Sequence, residues 1–583
     1  MEIKNKKKRK RELLEHDRQW TDKKIAILNG SSPGEIPDFL EIFLLENDIR
    51  PTFYVGDYNR YYEEALFSSE LVEFKPDIVY IHTTNYNIEA FADMNDSKEI
   101  AQEKLDAEFD RWIQIWKSCQ SRLSCVVIQN NFDLPHTRPI GNLDGVDFRG
   151  RVWFIRELNK KMVKYAEENS GFYIQDIEYL SACEGLSVWH NPTYMHLYKY
   201  AVSLESMPVL AKNLAAMIIS LLGKRKKCLV LDLDNTLWGG VVGDIGAENI
   251  KIGAETAEGE AFSDFQKYVK QLSKTGVLLC VASKNEEEAA KSGFNADGMV
   301  LSLDDFICFY ANWEPKSESL KKMAEEMNLG LDSFVFVDDN PAERELVKQY
   351  LPMVSVIDAD KPEDFITALD KSGYFEPVAL SDEDLKRTGL YAENKMRSKG
   401  VSEFSDYKDY LSSLEMSAEI GSVSDKNKER VTQLIGKTNQ FNLTAWRLTE
   451  EDVTAVSNDN SWVTMCGRLS DKFGDNGLVT VILGKQANDT LFIKLWIMSC
   501  RVFSRHLEYA MFDRLIEICK QKGVKIIRGE YILTTKNKPV ENLYKELGFD
   551  LVSSEEKTGT VWEYCVNDGY TCKNTVISVS LKD

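Results

Sequence analysis

Histidine is scarce and cysteine is unpatterned. Six histidines and eleven cysteines are scattered over 583 residues, with no C-x-x-C pair and no His cluster at metal-ligand spacing, which argues against zinc-finger and dithiol chemistry. Most cysteines, Cys125, Cys228 and Cys280 among them, sit in apolar runs and read as small core residues. No uncharged stretch is long enough to span a bilayer, and there is no internal repeat. Positive charge is also in deficit: 72 Lys and Arg against 93 Asp and Glu leave a net charge of −21, which argues against a general nucleic-acid binder. One run opposes that trend, KNKKKRKR from Lys4 to Arg11. No apolar segment follows it, so it does not read as a signal peptide. Residues 1–22 are expected to form a disordered basic tail, or a docking arm for an acidic partner or an anionic membrane surface. Unpatterned cysteine and the missing signal point to a reducing cytoplasm.

What is present is chemistry at strand ends. CLVLDLDNTLW reads as a buried parallel strand, Cys228 to Leu233, delivering Asp232 and Asp234 at its carboxyl end, where open α/β sheets place their sites. VLLCVASKN is a second buried strand ending at Ser283. NWEPKSESL turns into a helix carrying Lys316. SFVFVDDNPAERE is a third strand ending in Asp338 and Asp339, followed by Asn340. A carboxylate that attacks a phosphate ester must overcome charge repulsion, so its site needs a cation and donors around the phosphoryl oxygens. Asp232 is the expected nucleophile. Asp234, two residues on along an extended backbone, would protonate the leaving oxygen, its proton retained by the like charge nearby. Ser283 and Lys316 would bind phosphoryl oxygens. Asp232, Asp234 and Asp338 are the expected Mg²⁺ ligands, hard oxygen donors suited to that ion, with Asp339 and Asn340 in support.

These motifs resemble those of haloacid dehalogenase-type phosphotransferases. The stretch WGGVVGDIGAENIKIG after the first motif resembles the flap of the FkbH-like branch, for which DNTLWGGVVG is a near-signature.

The chain is too long for one core, and domain sizes predict three or four units. From 23 to 223, strand-like runs (KKIAILNG, PTFYVGDY, PDIVYIHTTN, CVVIQNNF, FYIQDIEYL) alternate with helical ones, which predicts parallel β-α-β units. The motif-bearing domain spans 226–374 and a charged linker helix 375–406. From 407 to 583 the pattern changes: SWVTMCGRLSDKFGD, NGLVTVILGKQ and TLFIKLWIMSC read as antiparallel strands before a helix beginning near Arg505, then VKIIRGEYIL, VENLYKELGF and VWEYCV. The expected fold class is α/β, two doubly wound parallel-sheet domains, followed by an α+β domain.

That last order resembles Gcn5-related N-acetyltransferases. MSCRVFSRHLE would put Cys500 just before a helix, where free N–H groups, the helix dipole, Arg501 and Arg505 favour a thiolate. By resemblance to FkbH-like proteins, SCR supplies the thiol that holds an acyl group, and TNQFNLT (Thr438 to Thr444) and DKFGDNG (Asp471 to Gly477) match two further blocks. In the pantetheine motif R-x-x-G-x-G/A, Ser504 and His506 stand in place of both glycines, which puts acetyl-CoA binding in doubt. The first domain resembles SGNH-type hydrolases: Ser31 or Ser32 as nucleophile, Asn85 as oxyanion donor and His190 as base. Ser187 stands where that family's Asp would orient the imidazole, which points to a binding module rather than a hydrolase.

The resemblance implies a Mg²⁺-dependent phosphatase coupled to acyl transfer, loading a glyceryl unit from a phosphoglycerate onto an acyl carrier protein through a Cys500 thioester. The alternatives are a stand-alone phosphatase acting on a phosphosugar or other metabolite in surface-glycan synthesis, and a non-catalytic scaffold.

Overall fold

The computed structural model describes residues 5–15, 20–401, 406–534, 536–555 and 559–582. The chain divides into two compact units, Met1–Ser220 and Leu221–Asp583.

The first unit is built on five strands: β1 Thr21–Asn29, β2 Ile49–Val55, β3 Ile78–His82, β4 Val126–Asn130 and β5 Phe172–Gln175. They form one parallel sheet in the order β2-β1-β3-β4-β5. All five residues of β3 are buried, as expected of a central strand covered on both faces. The helix Lys98–Leu123 is capped by Ser97, which accepts from Ile100 N at 3.3 Å. It buries Leu105, Trp112, Ile115, Trp116 and Cys119, spaced to line one helical stripe against the sheet. FYIQDIEYL contributes only four residues to the sheet. Asp176 ends the strand by capping the next helix, Ile177–Glu184, through Tyr179 N at 3.0 Å.

The basic run corrects an expectation. Residues 6–15 are a helix rather than an unordered tail, whereas residues 1–4 and 16–19 lie outside the described residues. The helix lies along the acidic helix Ile36–Leu45 and its flanks, pairing Lys6 with Glu35 at 2.7 Å, Lys10 with Glu41 at 2.6 Å and Arg9 with Glu46 at 2.8 Å. Each such pair contributes little. Leu13, buried against Ile42 and Leu45, adds about 1.5–3 kcal/mol of apolar burial. The acidic partner expected of this run is the chain's own.

In the second unit, β6 Cys228–Leu231, β7 Leu278–Ser283, β8 Phe306–Ala311, β9 Phe334–Val337 and β10 Ser355–Val356 form a parallel sheet in the order β10-β9-β6-β7-β8. β6, β7 and β9 are buried at every residue. Because β6 and β9 are parallel and in register, Cys228 opposite Phe334 and Leu231 opposite Val337, the residues that follow them share one edge.

The same unit holds β11 Ser417–Gly421, β12 Trp462–Asp471, β13 Gly474–Ala487, β14 Thr490–Met498, β15 Ile526–Tyr531, β16 Asp550–Glu555, β17 Gly559–Cys565 and β18 Ser578–Lys582. Their order is β16-β17-β15-β14-β13-β12-β11-β18. β12, β13 and β14 are antiparallel neighbours, as the sequence predicts. β14 and β15 run parallel but pair only from Thr490↔Ile526 to Ile493↔Gly529. Beyond that point Phe441–Leu443 enters the fork: Leu443 N donates to Trp496 O (3.2 Å), Met498 N to Phe441 O (3.1 Å) and Ile532 N to Leu443 O (2.8 Å). The charged stretch expected as a linker forms the helix Asp382–Val401, which packs against β8 and β13 and buries Asp384, Leu390, Tyr391 and Arg397. Residues 402–405 lie outside the described residues. The fold class expected from the sequence holds in all three sheets.

Candidate functional site

At the carboxyl edge of the central sheet, β6 hands over to Asp232 and β9 to Asp338. One carboxylate oxygen from each of Asp232, Asp338 and Asp339 lies within 4.8 Å of the others. Lys316, the first residue of the helix Lys316–Glu326, brings its ammonium to 2.9 Å from Asp232 Oδ1 and 2.5 Å from Asp338 Oδ2. Lys316 is buried, which opposes its charge, but the two carboxylates raise its pKa. Asp338 is pushed up to about 6 by burial and by the charge of Asp232. Asp339 moves the same way for the same two reasons. The sequence reading gave Lys316 a phosphate; here its ammonium bridges two carboxylates.

Asp234 is turned to other partners. Its Oδ1 accepts from Trp238 Nε1 at 2.9 Å and Val242 N at 3.1 Å, and its Oδ2 from Asn285 Nδ2 at 2.9 Å. Its carboxylate therefore does not join the acidic cluster, where Asp339, expected only in support, supplies the third oxygen. Burial raises the Asp234 pKa, the Val242 and Trp238 donors oppose the rise, and the Asp232 charge adds to it. That favours a proton on the group expected to give one.

The flap is a compact turn. Asn235, in the left-handed region at φ 56°, accepts Gly240 N on its Oδ1 at 2.9 Å. Gly240 has φ 97°, a conformation that favours glycine. Gly239 and Lys251 exchange backbone bonds of 3.0 and 2.8 Å, closing the loop. Ser283 is the buried last residue of β7, and its carbonyl accepts Asn312 N at 3.1 Å. Asn340 does a structural task, capping the helix Pro341–Tyr350 through Ala342 N at 2.9 Å. Thr236 Oγ1 accepts Asp339 N at 3.1 Å, and Arg344 Nη1 holds the carbonyls of Asp338 and Asp339 at 2.8 and 2.7 Å. Sequence reasoning missed Asn285, Trp238, Thr236 and Arg344. The first two were legible only as neighbours of SK and NTL.

The cluster fits a divalent cation. Its donors are hard carboxylate oxygens, and the buried Asp232 Oδ1, although near Lys316, receives no well-directed hydrogen bond.

The second centre lies elsewhere in this unit. Cys500 opens a short 3-10 turn, Cys500–Val502, and the helix starts only at Leu507, after Ser504 and His506 turn the chain at φ 61° and 63°. Cys500 therefore lacks the helix terminus that the sequence reading gave it. Arg505 is also diverted: its guanidinium is buried against Asp471 at 3.0 Å and Asn394 at 2.6 Å. Instead Cys500 lines a cleft of about 660 Å³ whose walls carry seven lysines and arginines, Lys227, Arg387, Lys536 and Arg501 among them, against Asp332 and Asp384. Tyr391 is buried in the wall of the same cleft, and Asn328 Nδ2 donates to the Cys500 carbonyl at 3.3 Å. Thr438 to Phe441 of the TNQFNLT block line the same cleft. Asp471 of the DKFGDNG block holds Arg397 through bonds of 2.9 and 2.8 Å, together with Arg505.

In the first unit the hydrolase-like residues do not converge. Ser31 is buried, with its Oγ 3.2 Å from His82 Nε2, a histidine that the sequence reading did not single out. Burial lowers the His82 pKa to about 4, and the other side of its ring meets Tyr80 and Asn130 rather than a carboxylate. Ser32, also named from the sequence, follows the β1 turn half-buried, its backbone N bonded to Lys199 O at 3.0 Å. Asn85 N and Nδ2 both donate to Asp133 Oδ1 at 2.9 Å. His190 stacks on His136 with ring centroids 3.9 Å apart and meets the Tyr86 hydroxyl. Among the described residues, no hydrogen bond joins Ser31 or Ser32 to His190.

Residues 45–219 match the family model of the FkbH N-terminal domain. The N-terminal part of a Bacteroides fragilis protein, containing a phosphatase domain and complexed with Mg, is 28% identical; the match covers 64% of this chain and 99% of that one with a TM-score of 0.59. The ribosomal-protein-S18-alanine N-acetyltransferase of Escherichia coli is 11% identical, covering 26% of this chain and 99% of its own with a TM-score of 0.21. No curated protein matches the chain significantly. Residues 45–219 are thus similar to the FkbH N-terminal domain, and over 64% of its length the chain is similar to a protein that contains a phosphatase domain.

Proposed function

We propose that the chain is a Mg²⁺-dependent phosphatase of the haloacid dehalogenase type, coupled to acyl transfer through Cys500. The observation that carries the phosphatase reading is the convergence of Asp232, Asp338 and Asp339 beside Lys316, next to an Asp234 whose surroundings favour its proton. Asp232 attacks phosphorus and becomes an aspartyl-phosphate, while the ester oxygen leaves with the Asp234 proton. Asp234, now a carboxylate, takes a proton from water as that water attacks the aspartyl-phosphate; inorganic phosphate departs and Asp232 is restored. Asp232, Asp338 and Asp339 would hold Mg²⁺, which supplies positive charge for the phosphoryl oxygens. The Mg found with the Bacteroides fragilis phosphatase domain supports the choice of ion.

The acyl half rests on the cleft around Cys500. Its excess of cations, within a chain of net charge −21, suits an anionic acyl donor such as an acyl phosphate. The Cys500 thiolate attacks the acyl carbon, the carbon–sulfur bond forms, and phosphate leaves. By the resemblance, the acyl unit is a glyceryl group from a phosphoglycerate and its acceptor an acyl carrier protein. Intact-mass analysis after incubation with 1,3-bisphosphoglycerate tests this: an adduct that maps to Cys500 supports it, and no adduct leaves a phosphatase alone.

A further inference from the structure

Among the described residues Trp313 is the only exposed tryptophan, at 68%, whereas five others are fully buried. It stands at the carboxyl edge of the central sheet, in the loop between β8 and the helix Lys316–Glu326. Although exposed, the ring is held. Its Nε1 donates to Glu286 Oε1 at 2.8 Å. The loop itself is tied down by Asn312, whose N–H donates to Ser283 O at 3.1 Å and whose Oδ1 accepts Glu314 N at 3.0 Å. The polar edge of the indole is thus bonded to the protein, and apolar ring surface is left to solvent. Both ends of this arrangement lead to the phosphatase centre. Glu286 adjoins Asn285, whose Nδ2 holds Asp234, and the Trp313 loop runs directly into Lys316, whose ammonium meets Asp232. The flap reaches the same place: Val242 N donates to Asp234 Oδ1, and a Cβ on Gly243 would stand 3.1 Å from Asn285 Oδ1. Val241 and Ile245 of that flap are exposed as well.

Resting on the phosphatase reading alone, and on no chemistry at Cys500, we propose that Trp313 is a specificity-determining residue that binds the alcohol part of the substrate. The substrate class it selects is phosphate monoesters whose alcohol carries an apolar arm, in preference to small polyol phosphates. The argument turns on where the leaving oxygen must be. To receive a proton from Asp234 it has to come within hydrogen-bond reach of that carboxyl. The carbon chain attached to it therefore leaves the centre past the groups around Asp234: the flap, Asn285 and Glu286, and the indole that Glu286 holds. Where this rim meets solvent it offers the apolar side chains Val241, Ile245 and Trp313. An alkyl arm laid on the indole removes apolar surface from water on both partners and gains free energy in proportion to that area. A polyol gains little there, because its hydroxyls would face hydrocarbon without partners. Because the Glu286 bond orients the ring before substrate arrives, little side-chain freedom is lost on binding.

The test measures kcat and KM of the full chain with Mg²⁺ on methyl, butyl and hexyl phosphate and on glycerol 3-phosphate. The alkyl alcohols are nearly equal as leaving groups, so the series varies apolar surface alone. Each methylene that is fully covered adds up to about fourfold to binding, so kcat/KM for hexyl over methyl phosphate should rise by about tenfold or more in wild type. Glycerol 3-phosphate should fall near the methyl ester. Trp313→Ala should lose most of the hexyl-to-methyl ratio, through KM rather than kcat, and Trp313→Gln should lose it in the same way. Trp313→Phe, which keeps a ring without the N–H, should retain a larger part of the ratio than either. A hexyl-to-methyl ratio that is equal in wild type and the Ala and Gln variants overturns the proposal and leaves the phosphatase reading intact. So does glycerol 3-phosphate turned over as efficiently as hexyl phosphate by wild type. Absence of Mg²⁺-dependent turnover of every ester overturns the phosphatase reading itself and this proposal with it.

Discussion

Asn285 Nδ2 stands 2.9 Å from Asp234 Oδ2, and its own Oδ1 is held by the Glu286 N–H at 3.1 Å. The second bond fixes which end of the amide faces Asp234, so Asn285 is a positioning residue for the expected proton donor. Removing one neutral hydrogen bond of about 0.5–1.5 kcal/mol costs at most about tenfold in rate. Asn285→Ala should show that loss with alkyl phosphates, whose leaving oxygen needs a proton, and almost none with p-nitrophenyl phosphate. Asp234→Asn should exaggerate the contrast to about 10²–10⁴-fold on alkyl esters. Because burial holds the Asp234 pKa above the ordinary carboxylate value, the active protonated form persists above the usual range and is lost as pH rises. The alkaline limb of the alkyl-ester pH profile should therefore flatten in Asp234→Asn. Equal losses on both ester types would remove Asp234 as the acid.

Asp338→Ala and Asp339→Asn each take one oxygen from the three-carboxylate cluster. Both variants should need more Mg²⁺ for half-maximal activity, Asp338→Ala the more, since Asp338 also anchors Lys316. Titration of activity with Mg²⁺ after EDTA treatment measures this. An Asp339→Asn curve that superimposes on wild type would return that residue to a supporting place.

Asp471 is fully buried between Arg397 and Arg505. Asp471→Asn leaves two buried guanidinium groups facing a neutral amide, which should destabilise the second unit by about 3–5 kcal/mol. Denaturant unfolding measures the loss. A change within experimental error would mean that solvent reaches the two arginines.

Cys500→Ser should hydrolyse p-nitrophenyl phosphate at the wild-type rate, since Asp232, Asp234 and Lys316 sit at the other edge of the sheet. It should form no thioester with an acyl phosphate, because a serine hydroxyl is almost wholly protonated at neutral pH. Paired rate and mass measurements on the one variant check both halves.

The sheets were legible because buried parallel strands are continuous apolar runs: CLVL, LLCVAS and FVFV are the strands themselves. Asp232 and Asp338 were legible for the same reason, since a strand end fixes where the next side chain stands. Side-chain direction was not. Nothing in DLDNT says that the Asp234 carboxylate turns to Trp238, Val242 and Asn285 while Asp339 turns toward Asp232. The Cys500 surroundings were misread because a helix start was drawn at Arg505, whereas two left-handed residues delay it to Leu507. The basic run was read without the acidic helix that follows it, and a local charge count cannot reveal a partner thirty or so residues on.

The most direct test of the account is phosphate release from p-nitrophenyl phosphate by wild type and Asp232→Asn, each with Mg²⁺ and with EDTA. The account predicts turnover by wild type with Mg²⁺ alone, and none above background in the other three arms, with both proteins giving the same unfolding curve. Turnover by Asp232→Asn at the wild-type rate, or wild-type turnover undiminished by EDTA, would contradict it.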